Sequence, residues 1–289
     1  MKDTFPFLLH PFPEWAGRVS AAFTTRYMRG RSYASDAEAG DETNPRLAVA
    51  AAYADMNLGF RSGDDPDRVA RNWLSVLEAE GLAGKTLVLP CMAHGTTMID
   101  ADGLPPIAPG QSGSGAPMPE SGLRKREPEN ADALCARSDS LVLAVTMADC
   151  LTALIFDPET GTMAAVHAGW RGTRAGILGK SLRSLLDSGG IRAGSVLVAF
   201  GPCLRRDSLE VGPEVAEQLD SAFLIRREGK CYFDMPADNR AQALACGIGS
   251  DRIRDMGGST LTEPERYFSY RRDGQASGRM AAFISLRQG

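Results

Sequence analysis

Histidine is scarce in this chain of 289 residues: there are three, His10, His94 and His167. Copper oxidase and electron-transfer sites draw heavily on imidazole, so this count speaks against a centre of several coppers. Long apolar runs are absent too. None approaches the roughly 18 residues that a membrane-spanning helix needs. The N-terminal stretch MKDTFPFLLHPFPEW interrupts its short apolar run with His10 and the prolines around it, unlike a secretory leader, so a cytoplasmic protein is expected. No two cysteines stand at CxxC spacing. Cys91, Cys135, Cys150, Cys203, Cys231 and Cys246 are scattered, which fits free thiols better than a disulfide framework. A strong charge of either sign is missing as well. At a net charge of −4 the chain carries no electrostatic footprint for nucleic acid or an anionic membrane.

What is present describes a globular protein, with 43% hydrophobic and 24% charged residues. RVSAAFTTR at 18–26 reads as a strand. The run from Asp65 to Glu80 reads as a helix, with acidic residues and Pro66 in its first turn and Gly81 as its stop. KTLVLPCMAHG at 85–95 reads as a strand running into a glycine turn. Residues 101–130 are dense in Pro, Gly and Ser and poor in apolar side chains, so a flexible insertion within one domain is expected there. SLVLAVTMA, CLTALIFD and GTMAAVHA follow as three strands, then a helix over 173–190. SVLVAFG is a further strand, PEVAEQLDSAF and MPADNRAQALACG are helices, and RMAAFISL is a last strand. Strands and helices mix without strict βαβ alternation. The expected fold is therefore α+β (mixed α/β), a single domain over 1–289 with mixed β-sheets flanked by helices.

The chemistry concentrates in TMADCLTALIFDPETGTMAAVHAGWRG, residues 146–172. LTALIF, the turn DPET and GTMAAVH form a hairpin pattern. With 157–160 as the loop, Phe156 pairs with Gly161 and Cys150 falls opposite His167. Two soft ligands so placed can share a metal or form a thiolate–imidazole pair; each alone can equally be packing. In HAGWRGT the glycines permit close backbone approach. A helix starting near Thr173 would aim free N–H groups, with Gly172 and Arg171, at an anion. His94, in CMAHGTT, again ends a strand before a glycine. It is a candidate third ligand beside Cys150 and His167, leaving one coordination position of a catalytic zinc open.

ADCLTALIFD, AAVHAGWRGT, AHGTT and YFSYRRDG followed by GRMAAFI closely resemble the multicopper polyphenol oxidase (laccase-domain) family, also described as purine nucleoside phosphorylases. FTTR at 23–26, MNLGF with GDDPDRVARN at 56–72, and GPC with LEVG at 201–212 extend the resemblance over most of the chain. It implies a zinc site of His94, Cys150 and His167, with copper as the alternative metal. It also implies phosphorolysis of adenosine, inosine, guanosine and methylthioadenosine, with adenosine deamination at the same site. The implied fold is similar to the catalytic domain of a bacterial deamidating toxin that uses a Cys–His pair. Where the family usually has Gln-Val before the first His-Gly, this chain has Met92-Ala93, so a substrate contact by that glutamine does not carry over.

On this reading the partners are purine nucleosides and phosphate, for a monomer or a homodimer. Phosphate is expected on Arg26 and Arg171, helped by N–H groups near Gly172 and Thr173. Asp149 is a candidate for proton transfer or ligand orientation, and Asn57 and Arg271 for polar substrate contacts. Three rivals stand beside it: a copper-dependent polyphenol oxidase, a cysteine amidase editing peptidoglycan precursors with Cys150 as nucleophile and His167 as base, and a binding protein that keeps a structural metal.

Overall fold

Three consecutive apolar runs, 141–147, 151–157 and 162–168, form the spine of the computed structural model, which describes residues 7–26, 56–105, 122–188 and 190–287. In chain order the elements are β1 (Leu8–Leu9), β2 (Val19–Thr24), α1 (Pro66–Ala79), β3 (Thr86–Val88), β4 (Met98–Asp100), β5 (Lys125–Arg126), β6 (Ala133–Ala136), β7 (Leu141–Met147), β8 (Leu151–Asp157) and β9 (Thr162–Ala168). They continue with α2 (Trp170–Arg174), α3 (Ile177–Asp187), β10 (Leu197–Phe200), β11 (Glu210–Val211), α4 (Pro213–Ala216), β12 (Leu224–Arg227), β13 (Lys230–Phe233), α5 (Met235–Ala245), β14 (Ile253–Asp255), α6 (Tyr270–Asp273) and β15 (Met280–Leu286).

One sheet runs β1-β2-β15-β7-β3-β5 and a second β14-β10-β8-β9-β6-β4; a small third sheet is β11-β13-β12. Both large sheets are mixed. In the first, β3 is parallel to β5 and β7, while β15 is antiparallel to β2 and β7. In the second, the β8–β9 hairpin is flanked by antiparallel β10 and β6, whose outer neighbours β14 and β4 are parallel. The mixed α/β domain expected from the sequence is what is found.

The central strands are apolar at nearly every position because both of their faces are covered. Side chains alternate between faces with period two. Leu143, Val145 and Met147 of β7 meet Leu154 and Phe156 of β8 and Met163 and Ala165 of β9 between the two sheets. Val142 and Ala144 turn the other way, onto Val69, Trp73 and Leu77 of α1. Ala153, Ile155, Ala164 and Val166 pack instead against Ile177, Leu178 and Leu182 of α3 and Ala243 of α5. The layers are thus α1, first sheet, second sheet, and α3 with α5. Helix α1 has the start expected of it: the Asp65 side chain accepts the Asp67 N–H, and Pro66 takes the first turn.

Local differences from the sequence reading have identifiable causes. Phe156 pairs with Met163 rather than Gly161, and His167 pairs with Thr152 rather than Cys150. Asp157 belongs to β8, and its carboxylate accepts N–H and O–H donors of Thr160, so the turn is 158–161 with Gly161 at φ 74. The shift is two residues, an even number. Cys150 therefore stays on the face of Thr152, next to His167. The helix expected over 173–190 is two helices: α2 begins at Trp170, three residues early, and Gly176 at φ 78 separates it from α3. The strand at 85–95 stops at Val88, and PEVAEQLDSAF divides into α4 and a 3-10 turn at Ser221–Phe223. Of the insertion expected at 101–130, residues 106–121 lie outside the described residues; Leu123 is buried and Lys125–Arg126 extend the first sheet. No helix among the described residues is long and apolar enough to cross a membrane.

Candidate metal centre

Strands β7, β8 and β9 bring the key side chains together at one end of the layered core. At the end of β7 the chain turns through Asp149, in a left-handed conformation at φ 89, and delivers Cys150 just before β8. His167 is the penultimate residue of β9 and is buried. His94 comes from the loop after β3, is exposed, and is also left-handed, at φ 58. One ligand atom from each of His94, Cys150 and His167 lies within 4.8 Å of the others. The two imidazoles stand edge to face, with centroids 5.1 Å apart.

Two neighbours shape this group. Asp132, fully buried at the start of β6, receives N–H donors from Ala93 (3.1 Å), His94 (2.9 Å) and Gly95 (2.7 Å). Its Oδ1 also lies 3.0 Å from Nδ1 of His167. Gly169, directly after β9, has no side chain for a spatial reason: a β-carbon there would stand 2.9 Å from Sγ of Cys150 and 3.5 Å from Cδ2 of His94. The donor set, two imidazoles and a thiolate around a cleared space, fits a divalent metal of borderline softness.

Electrostatics single out Cys150 among the six free thiols. Burial pushes the Cys135 and Cys203 thiols up, to about 11 and about 12. Burial acts the same way on Cys150, but the charge of His167 and hydrogen bonds with His167 and His94 overcome it and bring that thiol down to about 6. Burial likewise opposes an imidazolium at His167, and the neighbouring Cys150 and Asp132 overcome it, raising His167 to about 9. Both shifts favour the charged forms of Cys150 and His167, and a thiolate is the form in which cysteine binds a cation.

The three ligands sit in the wall of a cavity of about 420 Å³, within the usual range for small-molecule sites. Asp149, Arg171 and Arg271 line it as well. Each oxygen of the Asp149 carboxylate takes one hydrogen bond, from the Thr260 hydroxyl at 2.7 Å and the Arg271 backbone N–H at 2.5 Å. Arg26, Asn57, Gly172 and Thr173 are not among the lining residues. The Arg26 guanidinium donates to the Pro264 carbonyl and lies over the Phe268 ring. Asn57 is buried, and its Oδ1 accepts the N–H groups of Gly59 and Arg279. The Thr173 N–H is already spent on Gly169 O, since α2 starts three residues earlier than expected, and its hydroxyl is bonded to Ala168 and Asn239. Gly172 allows close packing, because a β-carbon there would lie 3.2 Å from Gly95 O.

Four features escaped the sequence reading. Asp132 sits in NADALCA, a strand start with no motif around it, and only the fold carries it to His167. Arg279 lines the cavity from just before β15, and its place in GRMAAFI was the available signal. Tyr270, 49% exposed, lines the rim, with the Arg279 guanidinium 5.5 Å from its ring centroid. Met92, Met147, Leu204, Leu209 and Met235 give the cavity an apolar lining, assembled from segments far apart in sequence.

The layered α/β domain thus carries a Cys–His₂ group that could hold a metal ion in the wall of an arginine-bearing cavity. The chain belongs to the multi-copper polyphenol oxidoreductase laccase family, whose model matches residues 46–287. It is 31% identical over 244 residues to a purine nucleoside phosphorylase of Bacteroides thetaiotaomicron, covering 82% of this chain and 86% of that one. It is 30% identical over 250 residues to adenosine deaminase RL5 of an unknown prokaryotic organism, covering 84% and 91%. The fold is similar to that of YlmD from Geobacillus stearothermophilus, with a TM-score of 0.77 at 24% identity over 99% of this chain and 98% of that one.

Proposed function

We propose that the protein is a zinc-dependent purine nucleoside phosphorylase acting on adenosine, inosine, guanosine and methylthioadenosine, with adenosine deamination as a side activity. The observation that carries this reading is the shared cavity: the His94, Cys150 and His167 ligand atoms and the Arg171, Arg271 and Arg279 side chains border one space. The relatives named as a phosphorylase and a deaminase support it.

In phosphorolysis an oxygen of hydrogen phosphate forms a bond to ribose C1′ as the C1′–N9 bond breaks, and the phosphate's proton passes to the departing base, giving the free purine and ribose 1-phosphate, or 5-methylthioribose 1-phosphate from methylthioadenosine. Arg171 and Arg271 hold the phosphate, with Arg279 beside them, and supply the positive charge that a dianion needs. Asp149 positions Arg271 through its backbone N–H rather than touching substrate. Asn57 acts at one remove in the same way, gripping the backbone N–H of Arg279. The apolar wall of Met92, Met147, Leu204, Leu209 and Met235 excludes water from one side of the nucleoside. His94, Cys150 and His167 would hold Zn²⁺, which when bound supplies Lewis-acid stabilisation of charge developing on the purine. Among the described residues this is the one His/Cys/Asp/Glu group of metal-site geometry, which fits a single ion rather than several coppers.

The test is to incubate metal-quantified protein with adenosine, with and without phosphate, and identify products. Phosphate-dependent adenine and ribose 1-phosphate are expected; inosine reports deamination. One observation favours a second reading, a cysteine amidase: Cys150, His167 and Asp132 stand in the order nucleophile, base and orienting acid. Release of serine or alanine from a muramyl precursor, with no turnover of any nucleoside, would decide for it.

A further inference from the structure

We propose that Asp132 is a positioning residue of the metal centre: its one carboxylate holds the His167 ring through Nδ1 and builds the loop that presents His94, so both imidazoles are aimed before a metal arrives. The inference concerns metal binding and does not depend on which substrate the cavity takes.

Asp132 is 0% exposed. Each of its oxygens accepts two hydrogen bonds. Oδ1 takes His94 N–H and His167 Nδ1, and Oδ2 takes Ala93 N–H and Gly95 N–H. Three successive backbone N–H groups converging on one anion form a nest. That nest holds His94 at φ 58, a conformation uncommon for a residue with a side chain. Oδ1 also holds His167 Nδ1, which leaves Nε2 as the nitrogen free to serve as the ligand once the metal has displaced its proton. A carboxylate behind a metal-binding histidine is a known way of setting tautomer, ring orientation and basicity. Here the same group also positions the second histidine, through its backbone. The main chain reinforces the link, since the His167 N–H donates to Asp132 O at 2.7 Å.

Hydrogen-bond capacity makes Asp132→Asn a sharp probe. All four partners are donors, and an amide replaces one accepting oxygen with NH₂. If the amide nitrogen takes the place of Oδ2, the bonds to Ala93 and Gly95 are lost. If it takes the place of Oδ1, the His94 bond is lost and His167 must move its proton to Nε2, which removes that nitrogen as a ligand. Neither orientation keeps the centre intact.

The experiment measures zinc affinity by chelator competition for the wild type, Asp132→Asn and Thr152→Ala. Thr152 pairs with His167 across the β8–β9 ladder and is fully buried, so its truncation reports general damage to the same hairpin. Asp132→Asn is expected to bind zinc about 10–100-fold more weakly, with Thr152→Ala within about twofold of the wild type. Equal loss in both variants, or full affinity in Asp132→Asn, would overturn the proposal. A second measurement needs no variant: with three histidines in the chain, imidazole ¹⁵N spectra of the zinc-loaded wild type can be assigned. His167 is expected to carry its proton on Nδ1 and zinc on Nε2; the reverse pattern would sink the idea even if Asp132→Asn does not fold.

Discussion

Gly169 and Cys150 meet so closely that a β-carbon on residue 169 would stand 2.9 Å from the cysteine sulfur. The backbone of Gly169, at φ −66, is open to any residue. Its lack of a side chain is therefore a matter of space at the sulfur, not of conformation. Overpacking of this kind costs about 1–3 kcal/mol, so Gly169→Ala should weaken zinc binding roughly tenfold to a hundredfold while leaving the fold intact. Chelator competition and far-UV circular dichroism check the two halves; unchanged affinity would show that the sulfur does not face the metal.

Metal-free protein should show one fast thiol. With Cys150 near 6 and Cys135 and Cys203 near 11 and 12, alkylation of Cys150 by iodoacetamide should rise as pH passes through about 6 and level off by neutrality. The sign follows from the nucleophile: below that pH the thiol is protonated and inert, and above it the thiolate reacts. Peptide mapping of the labelled protein identifies the site. Zinc added first should protect it. A rate at Cys150 that rises only above pH 8 would contradict the thiolate–imidazolium pair.

The phosphate assignment separates residues that the sequence grouped together. Hydrogen bonds to charged groups contribute about 1.5–3 kcal/mol, so Arg171→Ala and Arg271→Ala should each raise the KM for phosphate by about tenfold or more. Asp149→Asn should do so less strongly, by releasing the Arg271 backbone. Arg26→Ala should leave the KM for phosphate unchanged, because the Arg26 guanidinium is turned to Pro264 and Phe268. Steady-state kinetics at fixed adenosine decide; a phosphate effect confined to Arg26 would reverse the assignment.

Much of the layout was legible because its signals are local. The apolar runs of β7, β8 and β9 mark strands covered on both faces, and Asp65-Pro66 marks the start of α1. The Cys150–His167 pairing was two residues out in register, yet it put the right atoms together because side-chain direction repeats every two residues. Asp132 and the apolar cavity wall were not legible. Their neighbours come from strands and loops distant in the chain, so no spacing encodes them. The start of α2 was misplaced because Gly169 caps it by backbone alone, with no Ser, Thr, Asp or Asn to mark the position. Arg26 and Asn57 carry resemblance but do not line the cavity: the Arg26 guanidinium donates to Pro264 O, and Asn57 Oδ1 accepts from Gly59 and Arg279.

The most direct test of the central claim measures ribose 1-phosphate formed from adenosine and phosphate by three preparations: metal-stripped, zinc-reconstituted, and zinc-treated Cys150→Ala protein. The account predicts product from the reconstituted protein alone, in step with one bound zinc per chain. Equal product from all three, or none from any, would contradict it.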